Sequence, residues 1–226
     1  ADVVCLQEVT PGFLQYLRDL DWVREKYLLS DSIGTTLRGS ELSYGVIMMF
    51  RQSTVEVMQL WLQLLPSRMN RAVLLADIRI HEMTVRLASS HLESMDNSQL
   101  RAAQLSVICE NFQSDAVDAF IFAGDMNFHE DAHLEEKVMA DANLSDCWRQ
   151  LAAEGNEAVM AANAADAGIT MLADDAVGYA TRIDRIFLLS DSMRPVAMRR
   201  LGQQQSLPAA ANTAVEEQHA SVLKPV

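Results

Sequence analysis

Short apolar runs that lead into charged or amide side chains recur along this chain, and they constrain its fold more than any other feature. The run AFIFAG at 119–124 is followed by Asp125 and Asn127, and the run DVVCLQEV at 2–9 holds Glu8 near its end. Apolar runs of about four to eight residues are typical of buried strands. None reaches the roughly 18 residues of a membrane helix, so we expect a sheet-containing globular protein without a membrane span.

The other apolar segments predict an alternation of strands and helices. Helices are predicted from Thr10 to about Leu20, over 97–113, and once or twice within 131–154. Further strands are predicted at six segments: 44–50, 55–60, 74–80, 83–91, 181–190 and 195–201. This mixture predicts a single α/β-type domain over residues 1–226.

Helix faces, turns and loops follow from the same patterns. The buried face of the helix at 97–113 is predicted to consist of Leu100, Ala103, Val107 and Ile108, with Arg101 off this face. The two residues 81–82 are expected to form a tight hairpin between two strands. Residues 155–180 and 202–218, rich in small and polar residues, are predicted surface loops.

Charge and cysteine usage narrow the possible functions. The net charge is −13, which disfavours general nucleic-acid binding because phosphate attraction needs Lys and Arg. It does not exclude an enzyme that grips a few phosphates through Mg²⁺, because Mg²⁺ sites are built from carboxylates. Cys5, Cys109 and Cys147 are odd in number and form no Cys-x-x-Cys pair, and Cys5 and Cys109 lie within apolar patterns that are typical of buried free thiols. This favours a reducing compartment and argues against structural zinc.

Six polar residues lie at the ends of apolar runs or near the C-terminus, where a rigid scaffold can present functional groups. They are Glu8, His91, Asp125, Asn127, Asp184 and His219. If the strand continues, Asp125 and Asn127 project to the same side. A carboxylate beside a carboxamide can bind a hard cation or orient a water molecule.

Most of these residues also have a structural explanation. Asp125 and Asn127 can form an Asx-type turn. Glu8 can accept backbone N–H groups of the helix that follows it, and His91 can be a satisfied polar residue at a strand end. Asp184 can pair with a neighbouring arginine. Ion pairs of this kind also occur without any function, so no single residue decides between the two explanations.

Together and in this order, however, the motifs resemble one family. The stretches DVVCLQEVTPGFLQYL, SSHLES, FAGDMNF and RIDRIF span residues 2 to about 190. They resemble the endonuclease/exonuclease/phosphatase superfamily of metal-dependent phosphodiesterases and, within it, the 5′-tyrosyl-DNA phosphodiesterases. The specific part is SSHLES followed by AGDMN.

The resemblance implies a fold and a set of roles. The fold is a four-layered α/β/β/α sandwich of the DNase-like type, with the site at one end of two packed sheets. Glu8 is implied to be the carboxylate ligand of a catalytic Mg²⁺, with Mn²⁺ as an alternative metal. Asp125 would position and activate the attacking water, and Asn127 would hold the water or the phosphate. His91 and Ser94 would hydrogen-bond the phosphate.

The resemblance also implies a second histidine, a substrate and a location. His219 would stabilise the charged phosphoryl oxygens, oriented by Asp184, and His129 lies at a substrate-binding position. The implied substrate is nucleic acid with a 5′-phosphotyrosyl end, handled by a monomer in the nucleus or, alternatively, the cytoplasm. A phenol leaving group, with a pKa of about 10, departs far more readily than a sugar alkoxide, so a strong general acid is unnecessary.

Three departures from the family pattern bear on these expectations. The family begins with a strand that ends in Asn and would precede Ala1, so we expect the first strand to be missing and this chain alone to be unstable or inactive. Gln218 stands where the family has an acidic residue. Thr170-Met171 and His129 stand where the tyrosyl-DNA enzymes have Thr-Trp and Arg, which would weaken the grip on single-stranded DNA.

Two alternatives therefore remain open. The first keeps the fold and the reaction but acts on RNA ends, a phosphoinositide or another phosphoester. The second is a catalytically silent relative that binds partners, which the glutamine at 218 and the missing first strand favour.

Overall fold

The computed structural model of the chain describes residues 1–37, 44–112, 116–129, 131–153, 168–171 and 180–201. Within them the strands are β1 (Val3–Val9), β2 (Tyr27–Leu29), β3 (Gly45–Arg51), β4 (Val55–Leu64), β5 (Ala72–Ile80), β6 (Met83–His91), β7 (Ala119–Asp125), β8 (Ser145–Asp146) and β9 (Asp184–Leu189). The helices are α1 (Pro11–Asp19), α2 (Asp21–Lys26), α3 (Ser98–Glu110), α4 (His133–Asp141) and α5 (Cys147–Ala153). The protein thus has a mixed α/β fold.

The strands form two sheets. One has three strands in the order β1-β3-β2, and the other has six in the order β4-β5-β6-β7-β9-β8. Strands β6 and β7 are parallel neighbours, and the other neighbouring pairs are antiparallel. Because β6 and β7 are parallel, their carboxyl ends lie side by side at one edge of the larger sheet.

Separate apolar clusters hold the two sheets and the helices together. One cluster joins the two sheets and contains residues such as Met48, Phe50, Leu74, Val85 and Leu87. A second joins the larger sheet to α3 and α4. Two smaller clusters lie between the smaller sheet and α1 and α2. Burial of these residues is the main favourable contribution to folding.

Helix α1 begins where its sequence predicts. Thr10 accepts a hydrogen bond from the backbone N–H of Phe13 at 3.2 Å, and Pro11 occupies the first turn. Pro is tolerated there because its missing N–H would have no helical partner. Leu14 and Leu17 are the buried residues of this helix. The cap fixes the chain direction directly after β1, the strand that carries Glu8.

Two sequence-based expectations are wrong. Residues 195–201 do not form a strand. The preceding strand, β9, already pairs with β7 on one side and, at Phe187 and Leu188, with β8 on the other. The face predicted for α3 is also displaced, since Ala103 is exposed and Arg101 is only 6% exposed. Arg101 is buried because it forms an ion pair at 2.8 Å with Glu135 of α4, a partner that periodicity alone does not reveal.

The other predicted elements lie within one to a few residues of their expected positions, including the turn between β5 and β6. The predicted loop at 202–218 lies outside the described residues, as does most of the loop at 155–180. In the described part of the chain, no helix combines the length and the apolarity needed to cross a membrane.

Candidate functional site

Three neighbouring strands of the larger sheet place polar residues side by side. His91, the last residue of β6, is paired with Asp125, the last residue of β7. Asp125 is paired in turn with Asp184, the first residue of β9. The Nε2 atom of His91 lies 3.5 Å from Oδ2 of Asp125. The polar strand ends noted in the sequence are therefore adjacent in space.

Glu8 reaches the same place from the smaller sheet. Its backbone has a φ of 55°, and the β1–β3 register shifts between Leu6 and Val9. This irregularity turns the end of β1, and the Glu8 Oε1 atom lies 3.9 Å from Nδ1 of His91. One residue earlier, the Gln7 side chain donates a 3.0 Å hydrogen bond to Ser89 Oγ of β6. The two sheets are thus tied together directly beside the site.

The environment alters the protonation of the two central groups. Burial, followed by the negative charges of Asp184 and Glu8, raises the pKa of Asp125 to about 6, although the hydrogen bond from Asn127 and the charge of Arg71 act in the opposite direction. Burial, together with the Arg71 charge, lowers the pKa of His91 to about 4. At neutral pH the site therefore holds an ionised Asp125 beside a neutral imidazole. No hydrogen-bond partner of the buried Nδ1 atom of His91 is found among the described residues.

Asn127 is held in a defined position after β7. Its backbone, with a φ of 51°, donates its N–H to Asp125 Oδ1 at 3.0 Å, which is an Asx-type turn. Its side-chain amide nitrogen donates to the Leu92 carbonyl at 3.0 Å. Asp125 and Asn127 therefore do form the Asx-type turn that was the structural explanation for this motif. It leaves the second carboxylate oxygen of Asp125 on the side of His91.

Ser94 lies on the loop that follows β6. Its hydroxyl donates to the Met69 sulfur at 3.2 Å, and the Asn97 side chain donates to its carbonyl at 2.6 Å. Met95, the next residue, has a φ of 64°. A thioether is a weak acceptor, so a phosphate oxygen would be a stronger partner for this hydroxyl.

The remaining predicted residues lie on the β9 side of the site or outside the described part. Asp184 is exposed, and its backbone N–H donates to Thr170 Oγ1 at 3.0 Å. His129 Nδ1 lies 3.3 Å from Thr181 Oγ1. Arg182 and Arg185, the neighbours of Asp184, instead form ion pairs with Asp146 and Glu136. His219 and Gln218 lie outside the described residues.

Sequence reasoning missed two residues, Arg71 and Tyr44. Arg71 is 6% exposed, donates to the Tyr44 hydroxyl at 3.1 Å and places its guanidinium carbon 5.5 Å from the centre of the Tyr44 ring. Its Nε–H has no hydrogen-bond partner in the described part of the chain. The available signal was an arginine directly before the apolar run of β5.

The described residues contain no group of three or more His, Cys, Asp or Glu side chains arranged to hold a metal ion by themselves. This does not conflict with Mg²⁺ binding, because Mg²⁺ usually takes one or two protein carboxylates and keeps several waters. The three cysteines are free, and burial raises the pKa of each thiol to about 11.

Comparison with known proteins agrees with this geometry. The model of the Endonuclease/Exonuclease/phosphatase family matches residues 1–199. Tyrosyl-DNA phosphodiesterase 2 of Danio rerio is 32% identical over 199 residues, which cover 86% of this chain and 49% of the relative. The same enzyme of Xenopus tropicalis is 32% identical over 150 residues, covering 65% of this chain and 37% of the relative. The chain thus spans half or less of the length of these relatives.

Solved structures show the same similarity. The crystal structure of D. rerio TDP2 complexed with single strand DNA product has a TM-score of 0.59 and 28% sequence identity, covering 88% of this chain and 75% of that chain. The human Nocturnin catalytic domain has a TM-score of 0.60 at 17% identity, covering 83% and 68%, and shows a shared fold alone. The family suggested by the strand-end motifs is confirmed, and the chain belongs to the endonuclease/exonuclease/phosphatase family.

Proposed function

We propose that this protein is a Mg²⁺-dependent phosphodiesterase that releases tyrosine from the 5′ ends of DNA. The observation that carries the proposal is the convergence of Glu8, His91, Asp125 and Asp184 from strands of both sheets. Phosphodiester hydrolysis needs an oriented water and neutralisation of the phosphoryl oxygens. These groups are of the right kind for both tasks.

The residues present fit a magnesium ion. Carboxylate oxygens are the ligands that Mg²⁺ prefers, and the Glu8 side chain is 70% exposed at the rim of the site. Asp184 and Glu8 raise the pKa of Asp125, so the site carries negative charge that a cation would neutralise. We assign Glu8 as the ligand. When bound, the ion would supply charge neutralisation for the phosphate.

Asp125 has the position and the protonation state of a residue that activates water. Its Oδ1 is occupied by the Asn127 backbone, whereas Oδ2 faces the His91 side. Because it is ionised at neutral pH and its pKa is raised toward that of a moderate base, it can accept a proton from an attacking water. Asn127 holds the carboxylate in this orientation.

Phosphate binding is assigned to His91, Ser94 and Arg71. His91 and Arg71 each have a buried nitrogen with no hydrogen-bond partner among the described residues, and both line one small cavity. The Ser94 hydroxyl donates to the weakly accepting Met69 sulfur. Arg71, whose positive charge acts on both His91 and Asp125, would balance negative charge that develops on the leaving oxygen. His219, oriented by Asp184, is assigned a second role at the phosphoryl oxygens.

The substrate assignment rests on the relatives. They are named tyrosyl-DNA phosphodiesterases, and one of them has been crystallised with a single-stranded DNA product. A phenol leaves without a strong general acid, which fits a site whose histidine is neutral at pH 7. The proposal also includes a four-layered α/β/β/α arrangement, which is supported by the apolar clusters on both sides of each sheet. With such a DNA substrate, we also propose a nuclear location.

Removing the metal tests this proposal. We expect the full-length protein to release tyrosine from a 5′-phosphotyrosyl oligonucleotide in the presence of Mg²⁺. EDTA should abolish this activity, and excess Mg²⁺ should restore it. Released tyrosine and the 5′-phosphate product can be quantified by chromatography. Hydrolysis of another phosphoester but not of this oligonucleotide would show that the substrate assignment is wrong. A folded protein that hydrolyses no phosphoester would refute the enzymatic proposal in favour of a binding relative.

A further inference from the structure

Glu93 lies in the SSHLES motif, but the proposed reaction gives it no role. Its side chain is completely buried, with a relative exposure of 0%. Burying a carboxylate is costly unless hydrogen bonds satisfy it. Its carboxylate accepts three such bonds: from Ser67 Oγ at 2.6 Å, from the Arg68 backbone N–H at 3.0 Å and from Gln104 Nε2 at 3.4 Å. Two of the three donors lie on one loop, between β4 and β5.

Ser67 links the Glu93 carboxylate to the backbone of Arg71 by hydrogen bonds. Its hydroxyl oxygen accepts the backbone N–H groups of Met69 and Arg71, both at 2.9 Å, while it donates its proton to Glu93. A hydroxyl has one donor and two acceptor sites, so all three are in use. A continuous hydrogen-bonded path therefore runs from the Glu93 carboxylate to the backbone of Arg71.

The backbone of Glu93 is fixed from the helix side. Its N–H donates to Gln104 Oε1 at 2.9 Å, and its carbonyl accepts from Arg101 Nη1 at 3.2 Å. The same Arg101 atom binds the Met95 carbonyl at 2.7 Å, so it spans Ser94. Glu93 thus connects the loop that carries Ser94 to the loop that leads into Arg71.

We propose that Glu93 is a positioning residue that sets Arg71, through Ser67, against the phosphate bound at His91 and Ser94. This inference rests on the proposed function, and it extends that function to a group that never touches the substrate. Each of the two loops carries one of the residues assigned to phosphate binding, Ser94 or Arg71, and a displacement of about 1 Å at such a group can cost about a hundredfold in rate.

The network predicts that even Glu93→Gln is disruptive. If the new amide nitrogen faces Ser67, two donors oppose each other, because both acceptor sites of that hydroxyl are occupied. If the amide is turned over, its nitrogen faces the Arg68 N–H instead. Either orientation leaves a buried donor unsatisfied. The loop must therefore move.

The test combines exchange and kinetics in the full-length protein. In Glu93→Gln we expect faster amide hydrogen exchange at Arg68, Met69 and Arg71, and kcat/KM on the 5′-phosphotyrosyl oligonucleotide lower by roughly 10- to 100-fold. In an Arg71→Ala background the same substitution should change kcat/KM by less than about twofold, because Arg71 is the group through which Glu93 acts. Equal losses in the two backgrounds would overturn the proposal.

Asp77→Asn is the matched control. Asp77 is also a buried carboxylate, but it pairs with Arg86 toward the other end of β5 and β6. This variant should lower the melting temperature and leave kcat/KM unchanged. If the wild type hydrolyses no phosphoester, the proposed function fails. The exchange measurement still tests whether Glu93 anchors the loop before Arg71, because unchanged amide exchange in Glu93→Gln would reject that role independently.

Discussion

Replacing Asp125 by asparagine will lower kcat by about a hundredfold to ten-thousandfold while the protein remains folded. Asparagine can still accept the Asn127 N–H that Asp125 accepts at Oδ1, so the turn after β7 is kept. It cannot accept a proton from water, because an amide is not a base at neutral pH. The substitution also removes one of three neighbouring negative charges, so without Mg²⁺ the melting temperature should be no lower than that of the wild type.

The measurement compares single-turnover hydrolysis and thermal unfolding of the two proteins. Asp118→Asn is the matched control, since Asp118 lies at the opposite end of β7 and accepts the Thr84 N–H at 2.8 Å. It should keep full activity. If Asp125→Asn retained more than a tenth of the wild-type rate, Asp125 would not be the group that activates water.

Gly124→Ala will strongly destabilise the protein, although it adds only one methyl group to β7. A Cβ atom at Gly124 would lie 2.0 Å from the Ser90 carbonyl oxygen and 3.1 Å from two further Ser90 backbone atoms, and the φ of 156° is strained for other residues. Because the obstructing atoms are backbone, β6 and β7 must separate beside the His91–Asp125 pair. We expect a loss of about 2–4 kcal/mol in the free energy of unfolding. Activity should fall even at temperatures where the variant is folded.

Thermal unfolding and kcat/KM measured well below the transition will check this result. A stability loss of that size corresponds to a melting temperature lower by roughly 5–15 °C. Gly12→Ala is the control, because a Cβ at Gly12 has nothing within 4 Å and lies in the first turn of α1, where alanine favours the helix. A Gly124→Ala variant as stable as Gly12→Ala would show that β6 and β7 do not approach each other so closely.

The sequence was informative where local signals and burial agree. The apolar runs located most strands, and Thr10-Pro11 marked the start of α1. His91, Asp125 and Asp184 lie at strand termini and Glu8 one residue from the end of β1, where apolar runs change to polar residues. That change is visible without knowing which strands are neighbours.

What escaped prediction depends on partners distant in the chain. The helical periodicity placed Arg101 off the buried face of α3, but Arg101 is buried because it pairs with Glu135, 34 positions away. Arg71 is buried because Tyr44, 27 positions away, provides a ring and a hydroxyl for it. Glu93 received no role from the sequence, and its partners Ser67 and Arg68 lie 26 and 25 positions away. For each, the cost of burying a charge is offset by contacts that only the tertiary structure creates.

Glu8 comes from the smaller sheet, whereas its neighbours at the site come from the larger one. The rate of hydrolysis should therefore respond to any change in the position of one sheet relative to the other. Sliding of one layer over the other would leave the hydrogen bonds within each layer, and hence most of the circular dichroism, unchanged. It would nevertheless separate Glu8 from His91. We therefore expect that, as urea is increased, hydrolysis will be lost before the far-ultraviolet signal, whereas coincident loss would mean that the layers unfold as one unit.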